Sequence, residues 1–366
     1  MKVLILSSNT GEGHNSAAAA VAAKLAERGV SCVIKDVLTY ISGGMSDFIC
    51  GWHVRIYRKV PKLFDLGYKL VEKNQNTKWG AGFARFLNKG AGNLAKDIEE
   101  NGYDTVLSTH PFSAFMFTTA VKKHGVKVKS GFIATDYTCS PPVEKTLMDL
   151  YFVPHKDTAA DFTGKGIPEY KVIATGLPVR EEFYKKHKKE TAKRALGLPQ
   201  DKANLLLMCG SMGCGPLKQI TEKLASSMPD HAHLTVICGS NKKLRRELKS
   251  IRYPRGNVRV VGYTKHINYY MDSAELIITK AGGITCTEAM VKHLPMVLIN
   301  AVGGCETYNR TFFISKGGAL ETSGKITDLA LQLLKNPKLL GDMSAAMKAI
   351  CPPNAAESIC DYVCKD

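Results

Sequence analysis

A glycine pair and two glutamates in the second half of the chain have the residue types and spacing of a ligand site. The pair Gly282-Gly283 follows the apolar run 276–279 and precedes a helical run that opens at Thr285. A strand, a glycine turn and a helix in this order expose unpaired N–H groups where the helix dipole adds partial positive charge. Glu288 lies one turn into that helix, and Glu306 follows on a later glycine-marked loop. The spacing indicates a phosphate cradle with two carboxylates, which accept hydrogen bonds well from vicinal hydroxyls.

His14 is the residue of the first half whose position best suits acid–base chemistry. It ends the polar turn 9–14, which follows the apolar run 3–7 and precedes the alanine-rich, helix-favouring run 15–28. This order predicts a βαβ unit, in which ligands bind at the carboxyl ends of the strands. A histidine there can act as a general base near neutral pH. A solvated loop histidine is the alternative.

His110 and Asp136 follow two further strand-like runs, 103–108 and 128–134. Polar residues at the tips of neighbouring strands are expected along a cleft at one edge of a sheet. Each of the two could instead be a structural or capping residue.

Length and charge limit the classes of protein that this chain can be. Its 366 residues are long for one core, so two domains are expected, and its net charge of +17 favours an anionic partner. The eleven cysteines show no zinc spacing, so reduced thiols in a cytosolic protein are the simple interpretation. No apolar run resembles a signal peptide or approaches the roughly 20 residues of a membrane span.

The run 48–96 combines aromatic and basic residues. Trp52, Trp79 and Phe83 are interleaved with cations such as Arg55 and Arg58. This composition suits the headgroup region of an anionic membrane, where apolar burial and charge attraction act together. An amphipathic helix pair with solvated lysines is the alternative, and no recognisable module favours nucleic acid.

Strand-like and helix-like runs alternate through both halves of the chain, so an α/β fold is expected. We predict an N-terminal Rossmann-like domain at 1–180, a linker at 181–203 and a second Rossmann-like domain at 204–340. The last residues, 341–366, are predicted to form helices that pack back towards the first domain.

Eight motifs occur along the chain in an order that resembles one family. They are SSNTGEGHNSAA, STHPF, ATDYT, TGLPVREEF, CGSMGCGPL, NVRVVGYTKHINYYM, ITKAGGITCTEAM and GGCETYNRTFF. Together they look like the GT-B glycosyltransferases that include the monogalactosyl- and processive diacylglycerol glycosyltransferases. The peptidoglycan GlcNAc transferase is a more distant relative. The resemblance implies an α/β GT-B fold, with two Rossmann-like domains facing a central cleft.

The resemblance also implies roles for individual residues. His14 would be the base that takes the proton of the acceptor hydroxyl. The donor UDP-sugar would be bound by Gly210, Ser211, Gly213, Val261, Tyr263, Gly282, Gly283, Glu288, Glu306 and Asn309. Apart from the resemblance, Gly13, His110 and Asp136 near strand ends and Trp52, Arg55, Arg58, Trp79 and Phe83 of the basic, aromatic run are predicted to form the acceptor and membrane side.

The family resemblance implies inverting transfer of a hexose from a UDP-sugar to diacylglycerol on the cytoplasmic face of a membrane. Glucose is favoured and galactose is the alternative. No DxD motif suggests a divalent ion, so neither a metal nor a cofactor is expected. Glu12, Gly303 and Cys305 depart from the family pattern, which leaves the identity of the sugar open. The rival interpretations are a UDP-GlcNAc-using transferase or epimerase of the same fold and a non-catalytic membrane-binding protein.

Overall fold

The computed structural model describes residues 1–9, 11–42, 82, 85–253, 256–299, 303–321 and 325–365. The chain forms two compact units, one of residues 1–180, 303–308 and 352–366, and one of residues 181–302 and 309–351. Five residues predicted to contact a membrane, Trp52, Arg55, Arg58, Trp79 and Phe83, lie outside the described residues. Among the described residues, no helix is long and apolar enough to cross a membrane.

The described strands form two sheets in which every paired strand is parallel. The first sheet contains β1 Lys2–Ser7, β2 Ser31–Asp36, β3 Thr105–Ser108, β4 Lys129–Ile133, β5 Leu150–Val153 and β6 Val172–Ala174. The second sheet contains β7 Ala203–Met208, β8 Ala232–Ile237, β9 Val258–Val261, β10 Leu276–Lys280, β11 Met296–Ile299 and β12 Ala319–Leu320.

The α-helices of the described residues connect these strands and end the chain. In the first half they are α1 Glu12–Glu27, α2 Ala91–Asn101, α3 Pro111–His124, α4 Lys156–Gly164 and α5 Lys189–Leu196. In the second half they are α6 Leu217–Ser227, α7 Lys242–Ser250, α8 Ile267–Asp272, α9 Gly283–Val291, α10 Cys305–Ser315, α11 Ile326–Leu334, α12 Pro337–Ile350 and α13 Ala355–Val363.

The first sheet has the strand order β2-β1-β3-β4-β5-β6. Alternate residues of β1 enter two different cores, because successive side chains of a strand point to opposite faces. Leu4 and Leu6 join the core that α2 and α3 cover, whereas Val3 and Ile5 join the core that includes α1 and α13. The order of the strands reverses between β1 and β3. Open α/β sheets bind their ligands at such a switch point.

The second sheet has the strand order β12-β11-β10-β7-β8-β9, and its switch point lies between β7 and β10. Leu205 and Leu207 of β7 enter the same apolar core as Leu276 and Ile278 of β10. Both strands are buried, as expected for the central strands of a parallel sheet. The loops that follow β7 and β10 therefore meet at the place where this fold binds ligands.

Within the stretch predicted as a linker, 181–203, the chain carries α5 and clusters with the second unit. A buried ion pair holds the start of this stretch. Lys292 Nζ lies 2.7 Å from Asp272 Oδ2 and 2.7 Å from the carbonyl oxygen of Lys185. His187 Nδ1 lies 2.9 Å from the same carboxylate oxygen. Burial lowers the pKa of Lys292, and Asp272 opposes that shift. A buried pair of this kind is costly to break on one side only.

The last residues, 352–366, cluster with the first unit. Helix α13 lies against α1, where the guanidinium of Arg28 donates to Glu357 and, at 2.7 Å, to Asp361. Ile359 and Val363 of the same helix enter the core below α1. The end of the chain is therefore an integral part of the first unit.

Candidate active site

His14 lies in the first turn of α1, because the helix begins earlier than the sequence indicated. The sequence placed Gly13 and His14 in a polar turn, but the helix starts at Glu12. Gly11 is the N-cap in an extended conformation, and the acidic Glu12 in the first turn is favoured by the helix dipole. His14 therefore stands on a rigid element at the carboxyl end of β1.

Two neighbouring strand ends hold the imidazole of His14. Its Nδ1 lies 2.6 Å from the carbonyl oxygen of Thr109 and 3.0 Å from Oγ1 of Thr135. A carbonyl oxygen can only accept, so this contact assigns the proton to Nδ1 and leaves the lone pair of the neutral ring on Nε2. Thr109 follows β3 and Thr135 follows β4. The switch point of the first sheet thus orients a base.

The surroundings of His14 keep its imidazole neutral near pH 7. Burial lowers the pKa of His14, whereas the negative charge of Asp136 and the Thr109 carbonyl act in the opposite direction with smaller effect. Asp136 follows Thr135, so the predicted carboxylate does lie in the electrostatic environment of the predicted base. A neutral imidazole can accept a proton, and a nearby carboxylate stabilises the imidazolium that results.

His110 is buried beside His14, and it caps a helix. Its Nδ1 accepts a hydrogen bond from the backbone N–H of Phe112 at 3.0 Å, at the start of α3. The rings of His110 and His14 meet edge to face, with centroids 4.4 Å apart. The structure therefore shows the capping role that the sequence left open, and it brings His110 against the candidate base.

Asn15 is a residue of this region that sequence reasoning missed. Its side chain accepts from Ser7 Oγ at 2.6 Å and donates to Asn9 Oδ1 at 2.8 Å. The contact fastens the loop after β1 to the first turn of α1. The signal available in the sequence was an amide directly after the histidine, at a helix start where side-chain hydrogen bonds to nearby loops are common.

In the second unit, the loop after β7 is built around glycines that no other residue could replace without movement. Gly210 and Gly213 have φ values of +63° and +56°. A Cβ added to Gly213 would lie 2.0 Å from the carbonyl oxygen of Cys238, which is far inside contact distance. Gly239 faces the loop in the same manner, since its added Cβ would lie 2.0 Å from the carbonyl oxygen of Ser211. The two loops therefore touch backbone to backbone.

Hydrogen bonds complete the connection between these loops. The N–H of Ser240 donates to the carbonyl oxygen of Ser211 at 2.8 Å, and Asn241 Nδ2 donates to the carbonyl oxygen of Gly213 at 3.1 Å. Gly239 and Asn241 were missed from the sequence. The run Gly239-Ser240-Asn241 between a strand and a helix was the available signal, because asparagine is a preferred N-cap.

A side chain of α10 holds the loop after β10 by a hydrogen bond. Gly282 is the N-cap of α9, which starts at Gly283 rather than at Thr285. Asn309, which is fully buried, donates from Nδ2 to the carbonyl oxygen of Ala281 at 2.9 Å. Glu288 lies within α9 and is 7% exposed. The predicted donor residues Gly282, Gly283 and Asn309 thus form one local arrangement.

Lys280 is a charged residue at the switch point of the second sheet, and sequence reasoning missed it. Its Cε would lie 3.2 Å from a Cβ on Gly210, and its Nζ would lie 3.5 Å from a Cβ on Gly282. The loops after β7 and β10 therefore both approach this ammonium group. A lysine at the end of a buried strand was the signal. A positive charge beside a helix N-terminus suits the oxygens of a phosphate group.

The remaining predicted donor residues lie on two elements. Glu306 is buried in the first turn of α10, rather than on a loop as predicted, because α10 begins at Cys305. Val261 ends β9, and Tyr263, two residues later, is 66% exposed. An exposed aromatic ring at a strand end is available for stacking on a planar ligand.

Two family models match this chain. Residues 14–179 match the model of monogalactosyldiacylglycerol (MGDG) synthase, and residues 204–330 match the model of the glycosyltransferase family 28 C-terminal domain. Among curated proteins, the chain is 28% identical over 365 residues to a processive diacylglycerol beta-glucosyltransferase of Staphylococcus saprophyticus, covering 98% of this chain and 91% of that one. A protein of the same name from Bacillus cereus is 27% identical and covers 99% of this chain and 93% of its own length.

Solved structures show the same fold. MurG of Acinetobacter baumannii superposes with a TM-score of 0.66 at 16% identity and covers 99% of both chains. The S. aureus MnaA–UDP co-structure also gives 0.66 at 16% identity, covering 99% of this chain and 96% of that one. The two parallel six-stranded sheets with flanking helices confirm the predicted α/β GT-B fold.

Proposed function

We propose that this chain, a GT-B enzyme that is similar along nearly its whole length to processive diacylglycerol beta-glucosyltransferases and over residues 14–179 to the MGDG synthase model, is an inverting UDP-sugar-dependent hexosyltransferase. It moves a hexose from a UDP-sugar to diacylglycerol and makes a β-glycosyl glycolipid. Glucose is the favoured sugar, in keeping with the glucosyltransferase names of the relatives, and galactose is the alternative. The single observation that carries the proposal is the hydrogen bond from Nδ1 of His14 to the Thr109 carbonyl oxygen, which leaves Nε2 able to accept a proton.

The reaction is a single displacement at the anomeric carbon of the sugar. The acceptor oxygen forms a bond to that carbon while the bond from the carbon to the diphosphate oxygen breaks. The proton of the acceptor hydroxyl passes to Nε2 of His14, and Asp136 stabilises the resulting imidazolium. Attack from the face opposite UDP converts an α-linked donor into a β-linked product.

The second unit supplies the groups that hold the donor and the departing diphosphate. Lys280, the loop containing Gly210 and Gly213, and the N-terminus of α9 at Gly282 offer positive charge and backbone N–H groups to phosphate oxygens. We assign them the task of stabilising the negative charge that develops as UDP leaves. In this arrangement the protein's own groups provide that charge, so neither a metal ion nor a cofactor enters the proposed mechanism.

Carboxylates and amides of the second half recognise hydroxyl groups. Glu288 is assigned to the ribose hydroxyls, and Glu306 with Asn309 to the hydroxyls of the sugar. A buried carboxylate accepts two hydrogen bonds from a vicinal diol, and such charge-assisted bonds are the strong ones. Val261 and Tyr263 are assigned to the uracil.

The acceptor partner is proposed to reach the protein from a membrane surface. The net charge of +17 and the basic, aromatic run 48–96 support peripheral binding to an anionic cytoplasmic face. Within that run, Trp52, Arg55, Arg58, Trp79 and Phe83 are the residues assigned to the lipid. Nucleic acid is not a proposed partner.

The test offers each UDP-sugar in turn with diacylglycerol vesicles. The donors are UDP-glucose, UDP-galactose and UDP-GlcNAc, and the measurements are UDP release and the mass and anomeric configuration of the lipid product. We expect UDP release that depends on added diacylglycerol, with UDP-glucose giving the fastest transfer and a β-linked hexose. UDP-GlcNAc turnover that does not depend on lipid would instead support an epimerase, a reaction named in the titles of two solved structures of similar fold.

A further inference from the structure

The side chain of Arg245 lies against the backbone of Gly262, at the end of β9. A Cβ added to Gly262 would lie 3.1 Å from Cδ, 3.2 Å from Nε and 3.3 Å from Cζ of Arg245. These distances are shorter than ordinary van der Waals contact. Gly262 has no positive φ, so backbone conformation does not demand a glycine there. Because Gly262 has no side chain, the Cδ, Nε and Cζ atoms of Arg245 fit against its backbone.

The helix that carries Arg245 is tied to the loop that we assign to the diphosphate. Asn241, the N-cap of α7, accepts from the N–H of Leu244 at 3.0 Å and donates to the carbonyl oxygen of Gly213 at 3.1 Å. Arg245 lies one helical turn beyond Asn241. The backbone of α7 at Arg245 is therefore tied to Gly213 through the N-cap of the helix.

The distance between these features fits one extended nucleotide. Strands β7, β8 and β9 are consecutive neighbours in the sheet, and adjacent strands are about 4.8 Å apart. The end of β9 is accordingly about 10 Å across the sheet from the loop after β7. A nucleoside diphosphate with its phosphates at Gly210 and Gly213 would bring its base to Gly262. The exposed ring of Tyr263 stands at the same strand end.

We propose that Arg245 is a specificity-determining residue that reads the base of the donor nucleotide, which rests on the proposed function. Its guanidinium donates an N–H bond to the carbonyl oxygen at C4 of uracil, at the strand end where Tyr263 is exposed. A guanidinium has donors only. Uracil presents an acceptor at C4, whereas cytosine presents an amino group that also donates there. Arg245 therefore favours UDP over CDP.

The experiment measures UDP and CDP affinity by calorimetry for the wild type, Arg245→Ala and the matched control Arg246→Ala. Arg246 is the next residue of α7 and is also exposed. We expect Arg245→Ala to weaken UDP binding about 30-fold and CDP binding about threefold at most, so that the UDP preference falls about tenfold. Arg246→Ala should change both affinities less than about twofold.

Arg245→Lys separates base reading from simple attraction of phosphates. A lysine keeps the positive charge but presents a compact ammonium in place of a planar fork, so we expect it to leave the UDP preference reduced. The base-reading role would be overturned if Arg245→Ala lost UDP and CDP affinity equally and Arg245→Lys regained both affinities equally. Unchanged affinities in Arg245→Ala would overturn it as well. Thermal unfolding of each variant verifies that the fold is retained.

The outcome is independent of the test of the proposed function. A wild-type protein that binds UDP but transfers no sugar to diacylglycerol would contradict the lipid transferase, whatever the Arg245 variants do. A wild type that makes glycolipid, together with an Arg245→Ala variant that keeps the full preference for UDP, would contradict the role of Arg245 alone.

Discussion

The two units of this protein hold their candidate functional groups in different ways. In the first unit, one side chain, His14, is held by other groups, namely the Thr109 carbonyl, the Thr135 hydroxyl and the ring of His110. In the second unit, backbone segments form the site, because Gly213 and Gly239 pass within the space that a Cβ would need. Both sites lie at the switch point of a parallel sheet.

Because the two sites are built differently, substitutions in them should have different effects. A side chain that performs chemistry can be truncated with little change in the fold, so its loss should appear in turnover. A backbone cradle cannot be changed without moving the chain, so its loss should appear in nucleotide affinity and stability together. The following predictions test that division, in order of decreasing effect.

His14→Ala should cause the largest loss. We expect turnover with UDP-glucose and diacylglycerol to fall about 1000-fold, because a positioned general base contributes on the order of 10²–10⁴-fold. UDP affinity, measured by calorimetry, should stay within about twofold, since His14 belongs to the first unit. Turnover near that of the wild type would remove His14 from the mechanism.

Gly213→Ala should weaken UDP binding about 100-fold, or roughly 3 kcal/mol, because the new Cβ overlaps the Cys238 carbonyl and the loop must move. Gly256→Ala is the matched control in the same unit. Gly256 has a similar φ of +59° and no atom within 4 Å of its added Cβ, so it experiences the backbone strain alone. Equal UDP affinity in the two variants would show that the close approach of the loops is unimportant.

Glu288→Gln should weaken UDP binding about tenfold, because the amide loses the charge that strengthens hydrogen bonds to ribose hydroxyls. The same variant should bind 2′-deoxy-UDP about as well as the wild type does. Calorimetry with both nucleotides measures the difference. A variant that discriminates between UDP and 2′-deoxy-UDP as strongly as the wild type would rule out the ribose role.

Asp136→Asn should have the smallest effect on rate and a defined effect on pH dependence. Burial holds the pKa of His14 below 6.5, and Asp136 raises it, so removing this charge lowers the pKa of His14 further. The base is active when neutral, above its pKa, so the acidic limb of the kcat/KM profile should move to lower pH. Turnover at pH 7 should fall about fivefold, since the imidazolium loses about 1 kcal/mol of stabilisation. An acidic limb that moves to higher pH would contradict this electrostatic assignment.

Much of the fold followed from the order of residues. The predicted strand-like runs 3–7, 103–108, 128–134 and 276–279 differ from β1, β3, β4 and β10 by one or two residues at their ends. Helix starts were less accurate, since α1 begins at Glu12 and α9 at Gly283. Glycine is unfavourable in helix interiors, so the glycines were predicted to precede the helices. In the first turn this cost is smaller, because the N–H groups there make no i→i−4 hydrogen bond.

The parts of the candidate sites that the sequence did not indicate are those made by contacts between distant residues. The local signals at Lys280 and Gly239 are weak, and the contacts of these residues and of Arg245 with glycines of other loops become apparent only in the folded chain. The pairing of Asn309 with the Ala281 carbonyl spans 28 residues and has no local signal. His110, by contrast, precedes a proline at the start of a helix, which is a local capping pattern.

The α/β class, the expectation of two domains, the position of His14 after β1 and the glycine turns after β7 and β10 all followed from the sequence, because periodicity and glycine spacing are local properties of the chain. The tertiary structure was needed to show that Nδ1 of His14 carries the ring proton, that burial lowers the pKa of His14, that Lys280 lies beside Gly210 and Gly282, and that Arg245 lies against Gly262. These properties depend on which carbonyl, carboxylate or backbone segment the fold brings into contact, and parallel strand order sets those contacts across tens of residues.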